Sequence, residues 1–241
     1  MKLRIQKHLS QEGILSRRKA EEYLLKGWIK VNGEVVTTLG TMVDPFRDKI
    51  ELSPHVRAIQ KQHKYLAYYK PRGIVTNLPQ RGEREIKDLL PPKYKNLHAI
   101  GRLDKESEGL ILLTNDGVFA NSLLNAGKAH ERIYHVTIDR ILTPIMQEKL
   151  ETGMLLFGEM TKPIKVKMIT PKQYGLTMIE GKNRQIRRMM EMLGAKVLEL
   201  KRVRFGKVSI DTLTPDKFRE LHPDELVLLR EFGKPKYQAS E

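Results

Sequence analysis

The sequence predicts an α+β protein: a small α/β unit at the N-terminus, then a larger unit on a mostly antiparallel mixed sheet with flanking helices. Three observations lead there. Strand-like and helix-like segments interleave without a regular βαβ rhythm. An Asn32-Gly33 pair separates two short alternating runs, a strong hairpin signal. Continuous apolar runs such as Leu110 to Leu113 suit buried strands. No internal repeat is visible.

In chain order, Ile5 and Leu9, with Ile14 and Leu15 beyond Gly13, predict a short amphipathic helix over residues 4–12 with glycine at its C-terminal cap. Ser16 is a good N-cap for a second helix from Arg17 to Leu25, which runs without Gly or Pro until Gly27 closes it. Trp28-Ile29-Lys30-Val31 alternates as a strand, Asn32-Gly33 accepts the positive φ of a type I′ turn, and Glu34-Val35-Val36 resumes the strand. Pro54 to His63 is polar and without clear period, so it reads as a linker. The expected division is therefore 1–57, a linker at 58–63, a second unit at 64–233, and a flexible tail at 234–241.

Beyond the linker, an apolar-aromatic strand is broken by the turn Lys70-Pro71-Arg72-Gly73. After Leu113, Asn115-Asp116-Gly117 turns the chain into a helix from Val118 to Leu124. Further strands are expected at Tyr134–Ile138, Ile164–Ile169, Gly175–Ile179 and Val197–Val203. Helices are expected at Pro144–Glu151 and at Gln185–Leu193, the second ended by Gly194.

Composition narrows function. Lys and Arg total 44 against 29 acidic residues, a net charge of +15, which favours a polyanionic partner through phosphate contacts and counterion release. No apolar run approaches the roughly 20 residues of a spanning helix, and the first ten residues lack a signal-peptide core, so a soluble cytoplasmic protein is expected. Without cysteine there are no disulfides, thiolate nucleophiles or cysteine zinc sites. His130 and His135 miss the i, i+4 spacing of the HExxH motif, and Gly175 to Asn183 misses the spacing of a phosphate-binding loop. No metal and no cofactor is expected.

Two segments carry chemistry. Gly101 to Asp116, GRLDKESEGLILLTND, sets Asp104 behind Arg102 in a polar loop leading into an apolar strand. An acid so placed is a candidate nucleophile, although a capping aspartate before a strand is a common alternative. Glu180 to Arg202 carries Arg184, Arg187 and Arg188 at i, i+3 and i+4, hence on one broad helical face. Arg17, Arg18 and Lys19 crowd a helix N-terminus, where backbone amides already favour anions; they suit phosphates, with an ordinary solvated helix start as the alternative.

The first segment resembles the catalytic motif of the ribosomal RNA pseudouridine synthases grouped with RsuA, RluB and RluF, matching at Gly101, Arg102, Leu103, Asp104, Ser107, Gly109 and Leu110. The Glu180 to Arg202 segment resembles that family's basic motif, and Lys70-Pro71-Arg72-Gly73 its Lys-Pro-x-Gly element. SRRKAEEYLLKGWIKVNG resembles the S4 RNA-binding signature over residues 3 to about 52. HERIYHVTID and the preceding NAG look most like RluF and its relatives.

The resemblance implies isomerisation of a uridine in ribosomal RNA: the N1–C1′ bond breaks, uracil rotates, and C5 joins C1′. Asp104 is then the essential carboxylate, its route (addition to the base, a bond at C1′, or a glycal) left open. Arg187 is set against the acid, where a guanidinium keeps a carboxylate ionised and oriented. Tyr134 stacks on the base, with Arg132 standing where the family usually has Lys. The expected RNA contacts are Arg102, Arg184, Arg188, Leu200 and Arg202, together with Ser16, Arg17, Arg18, Lys19 and Lys30 of the S4-like region. Plain alternatives remain for three: a loop salt bridge for Arg102, a strand aromatic for Tyr134, a buried strand leucine for Leu200. The resemblance points to large-subunit RNA first and small-subunit RNA second and leaves tRNA open as a second target; a monomer is expected because no sequence feature demands a partner surface. A non-catalytic RNA-binding assembly factor is the competing reading; it is disfavoured because a carboxylate in an RNA groove repels phosphate.

Overall fold

The computed structural model describes residues 2–60, 62–125 and 130–233. The expected tail at 234–241, and Ala126 and Gly127 of the NAG stretch, lie outside the described residues. The N-terminal unit runs β1 (Leu3–Arg4), α1 (Ile5–Gln11), α2 (Arg17–Leu25), β2 (Ile29–Val31), β3 (Glu34–Val35), β4 (Met42–Val43), β5 (Ile50–Leu52) and α3 (Pro54–Gln60). Ser16 caps α2, its hydroxyl accepting from the Lys19 amide at 3.4 Å. Asn32 and Gly33 both take positive φ, 52° and 87°, as the type I′ turn between β2 and β3 requires. Ile5, Leu9, Ala20, Leu24 and Ile29 close a small apolar core.

Residues 54–63, expected as a linker, instead open with α3. Val56 is fully buried in the N-terminal core and Ile59 packs beside it. An i, i+3 pair in otherwise polar surroundings is too short a run to show as a helical period.

The larger unit contains β6 (Tyr65–Lys70), α4 (Ile86–Leu89), β7 (His98–Ile100), β8 (Glu108–Thr114), α5 (Gly117–Asn125), β9 (Arg132–Ile138), α6 (Pro144–Thr152), β10 (Leu155–Leu156), β11 (Glu159–Met160), β12 (Lys165–Thr170), β13 (Gln173–Met178), α7 (Gln185–Met192), β14 (Val197–Phe205), β15 (Val208–Ser209), β16 (Phe218–Glu220) and α8 (Pro223–Gly233). Its sheet has the order β12-β13-β9-β14-β8-β6-β16, with β7 on β8 and β15 on β14. Every pairing is antiparallel except β14 with β8.

One face of the sheet packs against Ile86 of α4, Leu150 of α6 and Ile186, Met189 and Met190 of α7. The other packs against Phe119 and Leu123 of α5 and Leu229 of α8. Both faces of the central strands are therefore apolar, which explains the unbroken run Leu110 to Leu113. Strand register aligns Leu176, Tyr134, Arg202, Gly109 and Lys70 across β13, β9, β14, β8 and β6. Gly109 is needed at that crossing: its φ is +106°, and a Cβ there would lie 2.3 Å from the Arg202 carbonyl oxygen.

The two units touch at the corner between α1 and α2. A Cβ on Gly117, at the start of α5, would meet the Ser16 Cβ at 2.8 Å, and one on Gly13 would meet the Val118 side chain at 3.7 Å. Among the described residues, no helix is long and apolar enough to cross a membrane.

Candidate active site

Asp104 sits in the loop between β7 and β8, and two neighbouring segments hold that loop still. Thr76 is buried and works twice: its hydroxyl donates to the Leu103 carbonyl at 2.7 Å and accepts from the Leu103 amide at 3.0 Å. The Gly73 amide donates to the Lys105 carbonyl at 2.8 Å, and within the loop the Ser107 amide donates to the Asp104 carbonyl at 3.0 Å. Gly101 supplies the positive φ, +75°, that admits the bend. The Asp104 side chain, 32% exposed, lines a cleft of about 290 Å³ with Thr76, Asn77, Arg102, Glu106 and Arg184.

The arginines meet this loop from the start of α7. Arg184 is the N-cap of that helix in left-handed backbone, φ 50°, so it leaves the helical face on which spacing alone would put it. Its guanidinium donates to Glu106 at 2.8 Å and stands 3.9 Å from the Asp104 carboxylate. Arg187 donates to the Glu106 carbonyl at 3.0 Å and the Ser107 hydroxyl at 3.3 Å, bracing the loop's backbone, and stands near enough to Asp104 for the two charges to interact. Arg188 turns the other way, onto the ring of Phe157 at 4.4 Å. The three arginines therefore fan out.

Charge follows the geometry. The Arg184 hydrogen bond holds the Glu106 carboxyl below its ordinary range, while burial, then Arg184, pulls the Arg187 guanidinium down. Asp104 keeps one long cation contact and an open side toward the cleft. A carboxylate so held is available for bonding to a substrate.

Lys70, the first residue of the Lys70-Pro71-Arg72-Gly73 turn that resembles the family's Lys-Pro-x-Gly element, ends β6. It is fully buried, and its ammonium donates to the Pro71 carbonyl at 2.9 Å and the Ile74 carbonyl at 2.5 Å. Burial lowers its pKa to about 8, opposed by Asp104, Glu106 and Glu108. A lysine ending the apolar strand YLAYY signals such bonds, since a charge closing a buried strand is costly unless it has partners.

Tyr134 lies two strands from Gly109, roughly 10 Å at ordinary strand spacing. It is 9% exposed and shares an apolar cluster with Leu103, Ile186 and Leu200. Leu200 is buried in that cluster. Arg202 departs from the expected RNA contact: it is 3% exposed and its Nε donates to the Leu110 carbonyl at 2.6 Å, tying β14 to β8. Its place in a central strand decides this, because that strand is covered on both faces.

Arg102 is exposed at the cleft. Arg17, Arg18 and Lys19 are exposed at the start of α2, with Lys19 bound to Glu22 at 2.7 Å. Arg18 and Lys19 come near the larger unit: burial, then Lys87, Arg18 and Lys19, hold His98 below its ordinary value. Ser16 spends its hydroxyl on the helix cap, and Lys30 is exposed on β2.

Residues 64–192 match the family model for RNA pseudouridylate synthase, and residues 3–48 match the S4 domain. The chain is 37% identical over 234 residues to ribosomal large subunit pseudouridine synthase B of Bacillus subtilis, covering 94% of this chain and 95% of that protein. It is 37% identical over 228 residues to the dual-specificity RNA pseudouridine synthase RluF of Escherichia coli, covering 93% and 77%. A solved crystal structure of a pseudouridylate synthase superposes with a TM-score of 0.70 at 28% identity, over 94% of this chain and 99% of that one.

Proposed function

The chain belongs to the RNA pseudouridylate synthase family, and from that premise we propose that it isomerises a uridine of large-subunit ribosomal RNA to pseudouridine, with Asp104 as the reacting carboxylate. The supporting observation is the Asp104 loop: an acid at a cleft, its backbone fixed by Thr76 and Arg187 while its carboxylate stays open. The target nucleotide must leave its stack for such a group to reach its sugar or base. The N1–C1′ bond then breaks, the freed uracil turns, C5 bonds to C1′, and the C5 proton is lost as N1 gains one. Nothing is oxidised or consumed, so the reaction balances without a redox partner.

Arg184 and Arg187 act in this reading through the loop, one sharing its charge between Glu106 and Asp104, the other holding the backbone. Tyr134 and Leu200 give the apolar wall against which uracil lies. Arg102 braces the RNA at the cleft mouth. The S4 unit, through about residue 57, grips phosphates with Arg17, Arg18 and Lys19 and presents the substrate to the unit at 64–233. The protein acts as a cytoplasmic monomer. Large-subunit RNA is favoured over small-subunit RNA because it is named for the Bacillus relative, which matches along nearly the whole length of both chains. RluF is called dual-specificity, which keeps a second RNA, including tRNA, as a reading to test.

The test uses a large-subunit ribosomal RNA transcript tritiated at uridine C5. Tritium should be released by the wild-type chain and not by Asp104→Asn, while that variant still binds the transcript. Release by Asp104→Asn would overturn the assignment.

A further inference from the structure

We propose that Phe157, at the tip of the β10–β11 hairpin, is the platform on which a nucleotide flanking the target uridine stacks; the proposal rests on the function proposed above. Three features of the hairpin support it. First, Phe157 is 60% exposed, and Leu155 and Met160, paired across the hairpin, are 59% and 62% exposed. Burial does not explain this apolar surface. Second, Phe157 (φ +56°) and Gly158 (φ +79°) form the two-residue turn of the hairpin, which demands positive φ at both positions, and a bulky aromatic is an unusual residue to find at the first of them. Third, the Arg188 guanidinium lies over the ring 4.4 Å from its centre. One face is thereby occupied, leaving the remaining exposure to the other.

The hairpin is held firmly. The Met154 amide donates to the Thr161 hydroxyl at 2.9 Å, and the Thr161 amide to the Met154 carbonyl at 2.8 Å. Leu156 is buried as its anchor, and Lys182 pairs with Glu159 at 2.7 Å. A Cβ on Gly153 would stand 2.5 Å from the Thr161 carbonyl oxygen, so the hairpin base is closed tightly.

Its position names the occupant. Arg188 follows Arg187, which holds the Asp104 loop, so the exposed ring and the reacting acid are both tied to the first turn of α7. The cation at the ring is Arg188, and Lys182, paired with Glu159, stands against the same hairpin. An aromatic face beside a guanidinium fits a nucleic-acid base, whose flat surface stacks while its phosphate meets the charge. A base held there would occupy the stack from which the target uridine has been drawn.

The test combines two perturbations. Phe157→Ala and Phe157→Leu are assayed for affinity and kcat/KM on a hairpin cut from large-subunit ribosomal RNA around the uridine that the wild-type chain modifies. Each is repeated with that RNA made abasic at each flanking position in turn. Removing one stacked base corresponds to about a 5- to 150-fold fall, which both variants should show, while Phe157→Trp retains wild-type behaviour. At one flanking position the abasic RNA should make wild type and variants equal. Leu keeps the bulk without the aromatic face, so it carries the test if the Ala variant does not fold. If the wild type modifies no uridine, the functional reading fails and the platform with it. If the wild type is active and the variants match it, or their deficit persists with every abasic RNA, the platform alone is overturned. A change only in oligomeric state would reassign the hairpin to a protein contact and likewise overturn it.

Discussion

Lys70→Met separates a buried charge from its surroundings. In the wild-type chain this lysine has no exposed surface, and its ammonium is satisfied by the carbonyls of Pro71 and Ile74. Burial brings its pKa from 10.5 to about 8, with the carboxylates of Asp104, Glu106 and Glu108 pulling the other way. The folded chain therefore releases this proton near pH 8 and the unfolded chain near its ordinary value. Between those points the unfolded state holds more protons, so stability rises with pH across the window. At about 1.4 kcal/mol per pH unit, the gap corresponds to about 3 kcal/mol. Urea unfolding of both proteins between pH 7.5 and 10.5 reads it, because titrations common to the two cancel in the difference. The wild type should gain about 3 kcal/mol over Lys70→Met across that range. A flat difference would mean that water reaches the ammonium, and a falling one that the three carboxylates outweigh burial; either refutes the argument.

Gly109→Ala places a methyl against the Arg202 backbone in a conformation hostile to L residues, and should cost at least about 3 kcal/mol in urea unfolding. A cost below about 1 kcal/mol would show that the β8–β14 crossing yields easily. Arg17→Gln with Arg18→Gln should lower the slope of log affinity for ribosomal RNA against log salt by about one for each phosphate the variant no longer neutralises. An unchanged slope would remove the start of α2 from the RNA interface.

Much of this molecule was readable in one dimension. The Asn32-Gly33 turn, the Ser16 cap and strands β6, β8, β9, β12, β13 and β14 of the large sheet follow from backbone rules that act over a few residues, whereas the short strands β7, β15 and β16 carried no such signal. The Asp104 loop was legible through its resemblance to the family's catalytic motif, since an acid in a polar loop ahead of a buried strand is by itself ordinary. Spacing failed where a backbone left the regular path. Arg184 takes a left-handed turn just before α7, so the i, i+3, i+4 pattern put three side chains on a face that two directions divide. Arg202 looked like one more basic residue, since only the register of β14 against β8 reveals that both its faces are covered. Phe157 gave no signal at all: a single aromatic between Leu156 and Gly158 is ordinary until the hairpin and the Arg188 contact exist.

The most direct measurement maps pseudouridines in ribosomal RNA from cells that lack this chain and are supplied with either the wild type or Asp104→Asn. The account predicts a large-subunit position that is modified with the wild type and stays uridine with the variant. Identical maps in the two, whether that position is modified in both or in neither, would contradict it.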